Sequence, residues 1–278
     1  MFGSASRALA SGLGGFSPVS VGITEPSAVD GSRHVPELKG TGPVTTTFFS
    51  DRVHIAAAPG VYAPQHDSYL LIHVLEQMGG IQGRTAVDLC TGSGVVAIAA
   101  ARLGAAVTAW DVCPLAVQCA RDNATTAGVH AEILEGPLED AIRYGPFDIV
   151  LSNPPYVPTP TNTRMESVPI DAGPPWAWNA GPDGRLVLDR LCRRAPSLLT
   201  DGGTMFVVQS EFAGIGQSVH ALRTSGLTAD VVARQQIPFG PVLNARASWL
   251  ESTGRLRPGR REETLAVIRA DKYQPSCS

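Results

Sequence analysis

Val87 to Ala97 reads VDLCTGSGVVA, and two patterns meet in it. Val87 and Leu89 close an apolar run suited to a strand covered on both faces. From Val95 the stretch VVAIAAARLG is an Ala-rich helix ended by Gly104. Between them, Gly92 and Gly94 let the backbone approach a ligand and leave amide N–H groups at a helix start. Gly92-Ser93-Gly94-Val95-Val96-Ala97 satisfies the G-x-G-x-x-G/A dinucleotide pattern. Taken alone, that pattern fits a ligand-free tight turn as well.

Outward from this turn, strands and helices alternate. Upstream, DSYLLIHVLEQMGG carries Leu70, Leu71, Val74, Leu75 and Met78 on one helical face, with Asp67 as N-cap and Gly79-Gly80 as the stop. Downstream, AVTAWD is a strand, PLAVQCARDNATTAG a helix with Pro114 in its first turn, AEILEG a short strand and FDIVLSN another strand. After a long loop follow the helix GRLVLDRLCRRAPSLL, the strand GGTMFVVQS and the helix IGQSVHALRTSG. Two late strands, TADVVARQQI and ETLAVIRA, bracket a Gly/Pro/Arg-rich loop. Alternation of this kind predicts an α/β fold with a doubly wound parallel sheet. Residues 1–45, rich in Gly, Ser and Pro, are expected to be a flexible segment, and 46–278 the folded domain.

Composition narrows the function classes. The 278 residues are 44% hydrophobic and 17% charged with net charge −3, so the chain is globular and has no overall basic field for nucleic acid. Its five cysteines form no C-x-x-C pair and the six histidines are scattered, which points to free thiols, a cytoplasmic setting and no metal site. No signal peptide is recognised, and no apolar run approaches the ~20 residues that span a bilayer.

Two carboxylates sharpen the Gly-rich turn. Asp88 stands just before it, where a pyrophosphate meets an unwelcome negative charge and a cationic ligand a welcome one. Asp111 ends the second strand, where an acid can accept both ribose hydroxyls. A cap or loop hydrogen bond accounts for either acid alone. Together they favour S-adenosyl-L-methionine, with its sulfonium and ammonium, over NAD, whose oxidoreductases are the competing class.

The strand at Phe147 raises a separate question, because FDIVLSNPPYVP ends it on an amide, two prolines and a tyrosine. Asn153-Pro154-Pro155 is on its own a stiff exit from a sheet. The combination of VDLCTGSG, an acid ending the second strand and Asn153-Pro154-Pro155-Tyr156 ending the fourth resembles the class I S-adenosylmethionine-dependent methyltransferases that act on nitrogen. More narrowly it resembles the HemK/PrmC group, which methylates a glutamine side chain in polypeptide release factors. GVYAPQHDSYLLIHVLE and WNAGPDGRLVLDRL are similar to segments of that group before the Gly-rich turn and after the NPPY. The likeness is to a short form without the helical N-terminal domain. Pro64-Gln65-His66-Asp67-Ser68-Tyr69 replaces a Pro-Arg-Pro-Asp-Thr-Glu segment, and Gly136-Pro137-Leu138 stands where an acid near the adenine is usual.

The resemblance implies a Rossmann-like domain of seven strands with the last antiparallel. It implies a cofactor held by Asp67, Asp88, Cys90, Thr91, Gly92, Gly94, Asp111, Val112 and Leu138, and catalysis by Asn153, Pro154, Pro155 and Tyr156. An amide nitrogen is a poor nucleophile because its lone pair is delocalised. If the Asn153 side-chain oxygen and the Pro154 carbonyl accept its two N–H bonds, the lone pair can face the methyl group, while Tyr156 stacks on the planar substrate. The implied acceptor is a protein glutamine, with adenine N6 in DNA or RNA as the alternative and a non-catalytic scaffold as a third class. A small partner subunit is left open. Glu211 and the loop Val157–Pro182, with Trp176 and Trp178, are expected to border the substrate. Arg246, Arg255, Arg257, Arg260 and Arg261 form a basic loop, a solvated surface or a contact for RNA.

Overall fold

The apolar runs around Val87 and Ile149 are neighbouring central strands of one mixed sheet. A computed structural model of the chain describes residues 37–38, 55–161, 168 and 173–274, all within one compact unit, Val35–Ser278. Apart from the backbone of Glu37 and Leu38, the expected N-terminal segment 1–45 lies outside the described residues. The strands are β1 (Glu37–Leu38), β2 (Thr85–Leu89), β3 (Ala106–Asp111), β4 (Ala131–Glu135), β5 (Phe147–Ser152), β6 (Leu199–Ser210), β7 (Thr228–Pro238) and β8 (Glu262–Asp271). Their order across the sheet is β1-β7-β8-β6-β5-β2-β3-β4. All seven expected strands are present, and β8 runs antiparallel to both β6 and β7. The two-residue β1 adds an edge, pairing in parallel with Arg234 and Gln235 of β7.

Side chains alternate across each strand, so the sheet divides its apolar residues between two layers. Ile149 and Leu151 face one core with Leu71, Ile72 and Leu75 of α1 (His66–Met78) and Ile98 of α2 (Val95–Arg102). Val117 and Ala120 of α3 (Pro114–Thr126) join the same core. Val87, Leu89 and Val150 face the other core, with Leu188 and Leu191 of α4 (Leu188–Leu198) and Leu222 of α5 (Ile215–Thr224). Buried Arg185 fastens the start of α4 to the turn before α5, donating to Asp189, to the Ala213 and Gly214 carbonyls and to Ser218.

The expected Gly/Pro/Arg-rich loop is in part a helix, α6 (Pro241–Ser252), with Pro241 in its first turn. Leu243, Ala247 and Leu250 bury one face of it with Phe239 and Trp178, which is why the segment folds. Arg246 on that face is 1% exposed. Its guanidinium donates to the Pro158 carbonyl at 2.8 Å and to Asn179 Oδ1 at 2.6 Å, and lies 4.7 Å from the centre of the Trp178 ring. Arg261 pairs with Glu251, and Arg260 with Glu211. Much of the basic stretch is therefore neutralised within the fold.

Close packing between α2 and α3 rests on one glycine. Gly94 has φ +81°, and a Cβ there would come within 2.9 Å of Ala120 Cβ. Gly94→Ala adds a left-handed backbone penalty to a clash in a filled core, and is expected to lower stability by about 2–4 kcal/mol. Chemical denaturation measures it, and an unchanged midpoint would contradict this packing.

Candidate functional site

Register brings the two motifs together. Leu89 of β2 pairs with Ser152 of β5, and Ser152 Oγ donates to the Leu89 carbonyl at 2.8 Å. The Gly-rich turn and the Asn-Pro-Pro-Tyr segment therefore leave the same edge of the sheet side by side. Beyond that edge lies a cavity of about 340 Å³, within the range of small-ligand sites. Asp88, Cys90, Thr91, Gly92, Asp111, Val112, Leu138, Asn153 and Pro155 line it, whereas Asp67, Gly94, Pro154 and Tyr156 do not.

The turn is organised by the two acids. Asp88 is 1% exposed, and its Oδ2 accepts from Thr91 Oγ1 at 2.6 Å and from the Ala97 amide at 3.1 Å. Burial pushes its carboxyl up to about 7 despite those two donors. Asp111 accepts from the Gly92 amide through Oδ2 and from the Cys113 amide through Oδ1, both at 2.9 Å. Its carboxyl is also raised by burial, against the pull of the backbone donors. Cys90 takes a left-handed backbone, φ +63°, and burial first, then the charges of Asp111 and Asp88, raise its thiol and keep it protonated. At Gly92 an added Cβ would meet nothing within 4 Å, so that stretch of backbone is open to a ligand. Gly94 is instead packed against α3 and does not line the cavity.

Asn153 is held from α1. Its Nδ2 donates to Ser68 Oγ at 3.2 Å, and Oδ1 accepts from no protein donor among the described residues. Asp67, one residue earlier, is a brace. Its Oδ1 accepts from the Ser68 amide at 2.7 Å, and its Oδ2 from Tyr156 Oη at 2.8 Å and Tyr62 Oη at 3.3 Å. This corrects two expectations. The helix begins at His66 after Gln65, so Asp67 is not its N-cap, and Asp67 lies outside the cavity it was expected to line. Tyr156 likewise does not offer its ring to that cavity, because Asp67 holds its hydroxyl; both residues line a second cavity.

Some cavity residues were not expected from the sequence. Tyr62, Ser68, Trp110, Asn179 and Arg190 all line it. Arg190 makes a two-pronged ion pair with Glu139 at 2.9 and 2.7 Å. The two tryptophans divide: Trp176 lines the cavity and is 58% exposed, whereas Trp178 is buried beneath α6. Glu211, expected beside the substrate, is engaged by Arg260 and by the Thr264 amide and does not line the cavity. Gly184, in the stretch WNAGPDGRLVLDRL, is fixed by its close approach to the Asn-Pro-Pro-Tyr segment, since a Cβ there would collide with the Tyr156 carbonyl. Among the described residues no helix is long and apolar enough to cross a membrane.

Comparison with known proteins adds to this geometry. A family model described as "Methyltransferase small domain" matches residues 52–166. The chain is 33% identical over 182 residues to a putative protein N5-glutamine methyltransferase of Methanocaldococcus jannaschii, covering 65% of this chain and 88% of that protein. It is 31% identical over 182 residues to the release factor glutamine methyltransferase of Deinococcus radiodurans, spanning 64% of each. Its fold is similar, at a TM-score of 0.51 and 20% identity, to a chain of the E. cuniculi Mtq2–Trm112 complex. That match covers 77% of this chain and 99% of the other.

The buried acids give a pH signature. Asp88 and Glu263 are each raised by burial to about 7, well above their unfolded values near 4. The folded state therefore keeps protons that the unfolded state has released. The contribution of these two acids is expected to be full below about pH 4 and to be lost as pH rises to about 7, by up to about 1.4 kcal/mol per pH unit for each acid. Denaturant titrations at several pH values check this, and Asp88→Asn should flatten the slope. A stability that rises across that interval in the wild type alone, and not in Asp88→Asn, would contradict the burial of this carboxyl.

Proposed function

Because the chain belongs to the HemK-like family of S-adenosylmethionine-dependent methyltransferases, we propose that it methylates the side-chain amide nitrogen of a glutamine in a protein, with a translation release factor as the first candidate. The observation that carries this reading is the state of Asn153: its amide nitrogen is tied to Ser68 while its oxygen remains available at the cavity wall. The names of the archaeal and bacterial relatives support the protein acceptor. The likeness to a chain of the Mtq2–Trm112 complex makes a second subunit the corresponding expectation for the assembly.

The cavity residues fit S-adenosylmethionine. A buried acid, Asp88, and a half-buried one, Asp111, stand at adjacent strand ends, backbone is open at Gly92, and Trp110 and Leu138 supply apolar wall. Asp111 would take the ribose hydroxyls, Asp88 would face the cationic end through the turn, and Val112 and Leu138 would enclose the adenine. When bound, the cofactor supplies an electrophilic methyl on a sulfonium. The chain's own residues do the rest by positioning. Asn153 Oδ1 accepts one N–H bond of the acceptor amide, and the Pro154 carbonyl, which does not line the cavity, is the second acceptor that the family resemblance implies; together they free the nitrogen lone pair. The prolines offer no N–H to compete for those acceptors. Asp67, through Ser68 and Tyr156, keeps the Asn-Pro-Pro-Tyr segment in place.

Asn153→Ala is expected to lower methyl transfer by at least about 100-fold, the order lost when one preorganised polar partner is removed. Affinity for S-adenosylhomocysteine should change little, since Asn153 serves the acceptor. Labelled methyl transfer into a whole-cell lysate, divided into protein and nucleic-acid fractions, checks the substrate class. Label confined to nuclease-sensitive material would overturn the glutamine reading, and an active Asn153→Ala enzyme would overturn the mechanism.

A further inference from the structure

A second cavity, of about 250 Å³, adjoins the first. Tyr62 lines both, and where Pro155 lines the first, Tyr156 lines the second. Two carboxylic acids stand in its wall, Asp67 at 3% exposed and Glu263 at 5%. They are satisfied unequally. Asp67 accepts from Tyr62, Tyr156 and the Ser68 amide, whereas the buried Glu263 Oε2 has no hydrogen-bond partner among the described residues. Burial holds the Glu263 carboxyl at about 7, with Asp67 and Glu211 pushing the same way and Ser210 and Arg260 opposing.

Four aromatic side chains, Tyr62, Tyr156, Trp178 and Phe239, share the rest of the wall with aliphatic ones such as Ile237, Val242, Leu243 and Leu265. One face of Trp178 is already taken by Arg246. No lysine or arginine lines the cavity among the described residues, and His66 is the one lining side chain able to carry positive charge. Carboxyl oxygens set among aromatic faces are the chemistry that receives an ammonium or guanidinium group. A buried carboxyl oxygen left without a donor is costly unless a ligand supplies one. Nothing in the methyl-transfer site uses Glu263.

We propose that this second cavity is a subsite for a cationic nitrogen, ammonium or guanidinium, carried by the methyl acceptor beside its reacting amide. The proposal rests on the glutamine reading for the acceptor and on the adjoining walls for its location. The cation can come from a lysine or arginine flanking the glutamine, or from a free chain-terminal amine next to it.

Two measurements test the subsite, one of them independent of methyl transfer. With the first cavity saturated by S-adenosylhomocysteine, n-butylammonium and n-butylguanidinium are titrated while the indole N–H resonance of Trp178 is followed. Saturable binding is expected in the wild type, weaker by at least about tenfold in Glu263→Gln, with n-pentanol far weaker than either cation. Unchanged S-adenosylhomocysteine affinity shows that the variant is folded. Equal cation affinity in both proteins, or n-pentanol binding as tightly as the cations in the wild type, would overturn the proposal. In the second measurement, three glutamine peptides are compared as acceptors. One is end-capped with flanking lysine and arginine, one carries acetyl-lysine and citrulline instead, and one is neutral with a free amine beside the glutamine. A lower KM for one of the two charged peptides names the source of the cation, and that advantage should vanish in Glu263→Gln. An advantage that persists in the variant would overturn the subsite. If none of the peptides is methylated, the glutamine reading fails and the butylammonium titration alone decides the subsite.

Discussion

The parallel pairing of β2 with β5 is the constraint on which the site depends. Neither motif has a binding surface of its own: one is a glycine turn, the other a stiff strand exit. Register sets Leu89 beside Ser152, and the Ser152 hydroxyl on the Leu89 carbonyl locks the two strand ends where ladder bonding stops. Because both strands are covered on each face, a slip of one residue would turn Ile149 and Leu151 into the wrong core and carry Asn153 away from the turn. The hydrophobic pattern of the strands thus fixes the distance between the residues that face the cavity.

A second tier of contacts converts that placement into orientation. Asp67 sits outside the cavity yet holds Ser68 from below and Tyr156 from the side, and Ser68 in turn holds the Asn153 amide. Such a chain of donors removes rotamer freedom from Asn153 before any acceptor arrives, which is the form in which positioning contributes to a rate. The reversal after Tyr156 is fixed in the same way, by Val157 donating to the Trp178 carbonyl and by buried Arg246 bridging Pro158 and Asn179.

The sheet and the loop residues that line the first cavity were legible in the sequence because they obey local rules. Alternating apolar strands, Gly92, Asp88 and Asp111 declare themselves through spacing and strand ends. What sequence could not disclose were choices made by tertiary neighbours. Asp67 carries the composition of an N-cap, but the tyrosines at 62 and 156, distant from each other along the chain, compete for its carboxylate and win. Trp176 and Trp178 are two residues apart, and only the packing of α6 decides that one is exposed and the other buried. The segment from Pro241 has the Gly, Pro and Arg content of a loop, and the apolar spacing of Leu243, Ala247 and Leu250 was the overlooked signal for its helix. Glu211 was assigned by position alone, and its pairing with Arg260 across many intervening residues gave no local cue.

Three buried carboxylic acids then show how one functional group is put to different uses. Asp67 is surrounded by protein donors, and its role is to hold other groups still. Asp88 has two donors yet is still raised by burial to about 7, so it is an acid whose charge is incompletely compensated by the protein. Glu263 goes furthest, with a buried oxygen that nothing in the described structure satisfies. Desolvation raises Asp88 and Glu263 alike, and the three acids differ in how many donors the fold supplies. A fold that can surround Asp67 with hydroxyls and an amide has the means to do so for Glu263. On the subsite proposal, the donor that Glu263 lacks, in a cavity next to the Asn-Pro-Pro-Tyr segment, is supplied by the incoming cation.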